Sequence, residues 1–204
     1  MPLPWHEPIE QVRAAMTERL GGVRAQRVHA PEDRQSAVLV AVIERSPEPT
    51  LLMVQKRADL PRHAGQMAFP GGRIEDDDTD SRAAALREAY EEVGLPPDNV
   101  EILGALDDHR TFVSSYHIRP WVAWVRRPPG AWRLDEREIA RVVEVPLRAA
   151  LEQAPASWLH WRWAEHHLRA PRWRFGDDVI VWGASARILH DLRGRLSAPD
   201  DALR

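Results

Sequence analysis

At 204 residues the chain is long enough for one substantial domain with a buried core and slightly short for two. Apolar residues at 44% and charged residues at 29% exclude a disordered or fibrous protein. A net charge of -3, from 28 basic and 31 acidic side chains, excludes a global field that would draw nucleic acid or an anionic membrane, and the lack of cysteine excludes disulfides, thiolate metal sites and a cysteine nucleophile. The first residues, Met1-Pro2-Leu3-Pro4-Trp5, lack a basic segment followed by an apolar stretch, and the longest apolar run, Ala37 to Ile43, is far below a membrane span. A cytoplasmic protein is expected.

Ile9, Val12, Met16 and Leu20 recur at helical spacing before Gly21-Gly22 and predict a leading helix. The β-branched run from Ser36 to Glu44 and the run from Thr50 to Val54 predict a buried hairpin, joined through Ser46-Pro47-Glu48-Pro49. A basic loop, Leu60-Pro61-Arg62-His63-Ala64-Gly65-Gln66, leads to a short strand at Met67-Ala68-Phe69, then Pro70-Gly71-Gly72 and an acidic stretch from Glu75 to Asp80. A helix is predicted from Ser81 to Val93, with Asp80 or Ser81 as N-cap and Gly94 as its stop. Strands are expected around Val100 to Leu106, His117 to Val125 and Ile139 to Val145, followed by a helix from near Pro146. The last part carries Trp158, Trp161, Trp163, Trp173 and Trp182, read chiefly as core, and ends in a helix over Gly183 to Leu196.

On the wheel of the helix from Ser81, Leu86, Ala89, Tyr90 and Val93 fall within about 100°, which predicts the buried face. Glu88, Glu91 and Glu92 share the other side, because spacings of three and four bring side chains together. Three carboxylates so placed repel by a few tenths of a kcal/mol per pair, and a divalent cation among them would remove that cost. A solvated acidic face is the ordinary explanation of such a pattern. Upstream, however, Phe69-Pro70-Gly71-Gly72 supplies a turn whose backbone can approach a ligand closely.

Gly72 together with Arg87-Glu88-Ala89-Tyr90-Glu91-Glu92-Val93-Gly94-Leu95 resembles the Nudix box, GX₅EX₇REUXEEXGU. The REAYEEVGL half is complete. The first half departs: the sixth residue after Gly72 is Asp78 rather than Glu, and Arg87 lies one position late. The resemblance implies a Nudix α/β/α sandwich with a mixed β-sheet, the box helix on one side and the C-terminal helix on the other. Residues 36–196 would form the Nudix domain, 1–35 an N-terminal helix and extension, and 197–204 a tail. It implies Glu91 and Glu92 as metal ligands, Glu88 as ligand or general base, the Gly71 carbonyl completing the sphere, and Arg87 orienting Glu88. All-oxygen ligands suit Mg²⁺ or Mn²⁺ better than zinc. The base can also come from outside the box, where Glu138 is the candidate, with loop residue His109 weaker.

The stretch Leu60 to Gly72, and Val181-Trp182-Gly183-Ala184-Ser185-Ala186-Arg187-Ile188-Leu189, resemble elements of the coenzyme A pyrophosphatase branch. That branch implies 4′-phosphopantetheine (or its acyl form) and adenosine 3′,5′-bisphosphate as products. Arg57, Arg62 and His63 would supply charge for the 3′-phosphate, with Lys56 an alternative to Arg57 because the register is one residue off. The tryptophans are alternatively a groove wall for pantetheine or acyl chains, or the interface of a homodimer. Two other readings stay open: hydrolysis of ADP-ribose or another dinucleotide, and a catalytically silent nucleotide-sensing module. The partner in each is a small nucleotide, not nucleic acid or a membrane.

Overall fold

The longest apolar run forms the centre of the sheet. A computed structural model describes residues 2–22, 24–30, 32–111, 115–163 and 166–197, so most of the expected tail lies outside the described residues. In chain order the elements are α1 (Ile9–Gly21), β1 (Arg34–Ile43), β2 (Thr50–Lys56), β3 (Met67–Ala68), β4 (Gly71–Arg73), α2 (Ser81–Val93), a 3₁₀ turn (Pro97–Asn99), β5 (Val100–Ala105), β6 (His109–Thr111) and β7 (Tyr116–Val125). Then come β8 (Ile139–Pro146), α3 (Leu147–Glu152), β9 (Ser157–Trp163), β10 (His166–Phe175), β11 (Val179–Val181) and α4 (Gly183–Leu196).

β1 pairs in parallel with β7 from Arg34↔Tyr116 to Ile43↔Val125. On its other side it meets β2 only at Val42↔Leu51 and Ile43↔Thr50, and pairs with β4 from Ser36 to Val38. β2 continues against β3 and β8. One parallel pair within an otherwise antiparallel eight-stranded sheet gives the expected mixed architecture. The short β4, Gly-Gly-Arg, has no strand propensity of its own and exists because β1 offers it free backbone partners. Both faces of β1 are covered, which explains its unbroken hydrophobicity: Val40 and Val42 join one core, and Ala37, Leu39, Ala41 and Ile43 the other.

On the first face α1 and α4 meet, with Val12, Met16 and Leu20 in one cluster with Ile188, Leu189, Leu192 and Leu196. On the second lies α2, entered through Asp80, whose Oδ1 accepts from Ala83 N at 2.8 Å, and ended by Gly94 at φ 70°. Its buried face differs from the expectation. Ala84, Ala85, Ala89 and Val93 are buried, Leu86 is only partly so, and Tyr90 is 46% exposed, lying under the Arg133 guanidinium at 5.1 Å. Alanines bring the helix axis close to the small residues Ala37 and Ala41 of β1, and the helix is thereby turned toward its carboxylates, so that Glu92 is buried at 4% exposure.

The tryptophan-rich part forms a separate three-stranded antiparallel sheet, β11-β10-β9. Trp173 is core, stacked on Phe175. Trp158 and Trp182 are not: they are 39% and 45% exposed, Trp158 in β9 and Trp182 at the N-cap of α4. Trp158 instead lies edge-on to His190 under Arg169, and the side chains of Trp161 and Trp163 lie outside the described set. Among the described residues no helix is long and apolar enough to cross a membrane.

Candidate active site

The fork between β1 and β2 positions the site. Gly71 stands opposite Val38 in β4 with φ 155°, and a Cβ there would come within 2.6 Å of the Val38 Cα, so only glycine lets the strands approach. Gly72 is open for a different reason. A Cβ at this position would come within 2.5 Å of the Glu88 carboxyl carbon, so the missing side chain is the seat of that carboxylate.

Glu92 comes up beside Gly71, whose N–H donates to its Oε2 at 3.2 Å. Its Oε1 accepts from Lys56 Nζ at 2.6 Å, and the same ammonium lies 3.0 Å from Oε2 of Glu138. Burial raises the Glu92 pKa to about 7, a rise that Lys56 only partly offsets. Burial also pushes Glu88 up, against the pull of Arg87. Arg87 is a hub: Nη1 reaches Glu88 Oε1 at 3.0 Å and Glu91 Oε2 at 3.2 Å, while Nε and Nη2 grip Asp78 at 3.0 Å each. Asp78 thus anchors Arg87 from the place where the box pattern has its first acid, and Arg87 in turn holds Asp78 below the usual carboxylate range.

The expected residues divide by location. Glu88, Glu91, Glu92, Gly71 and Arg87 come together, and Glu138 is brought to them by Lys56. The three glutamates share one region but are drawn toward two different cations, Lys56 and Arg87, and among the described residues no three acids or imidazoles converge on one point. The loop bearing Arg57, Arg62 and His63 is fastened at its base beside Glu138, since Arg57 N donates to Glu138 O at 2.9 Å. Arg57 is partly exposed and paired with Asp59 at 2.6 Å, His63 lies 3.0 Å from Gln66 Oε1, and Arg62 is exposed. His109 is not a loop residue. It is buried in β6 facing Asp191 of α4, away from the carboxylates.

Lys56 is the residue that sequence reasoning placed least well, appearing only as a stand-in for Arg57. Its partners lie 36 and 82 positions away in the chain. A charged residue closing an apolar strand was the one signal available.

The NUDIX domain profile matches residues 33–167 of this chain. The chain belongs to the Nudix family. A protein described as an uncharacterized Nudix hydrolase NudL, from Salmonella typhimurium, is 39% identical over 173 residues, covering 83% of this chain and 87% of its own, and the protein of that name from Salmonella typhi matches equally. A MutT/nudix family protein from Enterococcus faecalis superposes with TM-score 0.52 at 14% identity, covering 87% of this chain and 67% of its own, which shows the shared fold. Nudix hydrolases act on small nucleotides of the nucleoside diphosphate type and generally use divalent ions such as Mg²⁺ or Mn²⁺. In this Nudix protein α2 is the box helix, and its complete REAYEEVGL half meets the glycines of β4.

Proposed function

We propose that this Nudix hydrolase cleaves the pyrophosphate of coenzyme A, or of an acyl-CoA, to (acyl-)4′-phosphopantetheine and adenosine 3′,5′-bisphosphate. The observation that carries the reading is the placement of the loop that resembles the coenzyme A branch: its base is tied to Glu138, and Lys56 at its foot joins Glu92 to Glu138. The residues fit a divalent cation. Every donor is oxygen, Gly72 leaves a seat for the Glu88 carboxylate, and Glu92 is buried with one ammonium and one backbone N–H as its partners.

Glu88, Glu91, Glu92 and the Gly71 carbonyl would hold Mg²⁺ or Mn²⁺, with Lys56 yielding its hold on Glu92. Bound there, the ion supplies positive charge toward the anionic pyrophosphate and acidifies a water. Arg87, braced by Asp78, fixes Glu88. Glu88 takes the proton as the water oxygen bonds to phosphorus and the bridging P–O bond breaks. Glu138, on the other side of Lys56, is the second candidate for that proton. Arg57 and Arg62 would offer positive charge on the loop for the 3′-phosphate, with His63 beside them as a polar contact.

The test is mass-spectrometric product analysis after incubation with CoA or ADP-ribose and Mg²⁺ or Mn²⁺, beside Glu92→Gln. The two named products from CoA, absent with Glu92→Gln, support the reading. Turnover of ADP-ribose alone, or of neither compound, contradicts it.

A further inference from the structure

The two segments that resemble the coenzyme A branch are more than a hundred residues apart in the chain, yet they line one groove of about 430 Å³, with Gly65 and Met67 from the first and Trp182 from the second. Its volume lies within the range of small-ligand pockets. Met67, Leu159, Ile180 and Trp182 form a contiguous apolar wall, on which Leu159 and Trp182 remain 37% and 45% exposed. Arg172 and Asp178 are the charged groups on the lining. Asp178 is already neutralised by Arg141 at 2.7 Å, and Arg141 donates in turn to Gln55 Oε1 at 2.6 Å. The Arg172 side chain makes no hydrogen bond or ion pair among the described residues.

We infer that this groove is the subsite for the pantetheine arm, a neutral chain bearing two amides, and not for the phosphorylated nucleoside. The inference rests on the CoA reading above and assigns one half of that substrate. Charge decides between the halves. A nucleoside bisphosphate brings several negative charges, and the groove offers one unpaired guanidinium beside a carboxylate. An amide arm asks for what is present: carbonyl oxygens for the five N–H donors of Arg172, an acceptor for amide N–H at Asp178, and an apolar wall for its methyl groups. The groove lies close to the chemistry. Gln55, on its lining, precedes Lys56 on β2, so the two point to opposite faces, and Gln55 Nε2 donates to Gly65 O at 3.3 Å at the foot of the loop. A substrate held at the carboxylates would bend round this end of β2 to place its arm.

The test is calorimetric binding of two probes to the full chain without metal: pantetheine, and adenosine 3′,5′-bisphosphate. Wild type should bind both. Leu159→Glu and Arg172→Gln, each at a partly exposed position, should lose about tenfold or more in pantetheine affinity and keep their bisphosphate affinity. In turnover of CoA the same variants should raise KM with little change in kcat. No pantetheine binding by wild type, undiminished binding in both variants, or equal loss of both probes overturns the assignment. Cleavage of CoA by wild type is scored separately, so a groove that binds pantetheine in a protein that does not cleave CoA refutes the proposed reaction and not the subsite.

Discussion

Two clusters of acids and cations lie in this fold, and they are built to opposite effect. Asp108 is fully buried yet well supplied: Arg27 Nη1 donates at 2.6 Å, Val28 N–H at 3.1 Å, and His117 Nε2 lies 2.8 Å away. Burial alone would raise its pKa, and these partners outweigh it and hold it low. Glu92 is buried nearly as deeply, with Lys56 and one backbone N–H for partners, and is pushed up to about 7. The first cluster supplies its acid with cations from within the chain and knits the 24–30 segment to β7. The second is short of positive charge, as the proposed cation site requires.

The largest effect expected from this contrast is on the chemistry. Glu92→Gln should lower turnover by roughly a hundredfold to a thousandfold while leaving thermal stability close to wild type, since it removes a carboxylate whose ionised form is disfavoured. Parallel kinetics and thermal melts check this, and a collapse in stability would make Glu92 a structural acid like Asp108. Next in size, Asp108→Ala should destabilise the protein by about 3 kcal/mol, because Arg27 and His117 lose their shared partner. Denaturant titration measures the loss, and turnover per folded molecule should be retained.

Acidification sharpens the same comparison. The folded pKa of Asp108 is below its ordinary 3.8, so its stabilisation is present in full above that value and is lost as pH falls through the folded pKa. Melting temperature should therefore drop steeply below about pH 4 in wild type and less steeply in Asp108→Asn. The smallest effect belongs to the loop. Arg57→Ala removes an exposed pair with Asp59 and should leave the melting temperature unchanged, with a few-fold rise in KM for CoA if the loop reads the substrate's phosphate.

Much of this was legible in the sequence, for reasons that can be stated residue by residue. The helix from Ser81 to Val93 was marked at both ends by local chemistry, the Asp80 cap and the left-handed Gly94, and β1 by an apolar run that needs cover on two faces. The glutamates stood out through the resemblance of REAYEEVGL to the Nudix box, since their spacing alone fits a solvated acidic face equally well. What was hidden depended on distant partners. The burial of Tyr90 was misjudged because large residues dominate an apolar wheel, whereas the sheet accepted the alanines. β4 owes its form to pairing rather than to propensity. Lys56 and the meeting of Gly65 with Trp182 are visible only once β2, β3 and the start of α4 are brought together.

The central claim is that the three glutamates of α2, seated against the β4 glycines, take up a divalent cation that their present partners only replace. Titration of metal-free protein with Mn²⁺, followed by the electron paramagnetic resonance signal of the free ion, tests it without any substrate. Wild type should bind Mn²⁺, and Glu88→Gln and Glu92→Gln should each weaken that binding by about tenfold or more. Equal binding by all three proteins, or none by wild type, would contradict the account.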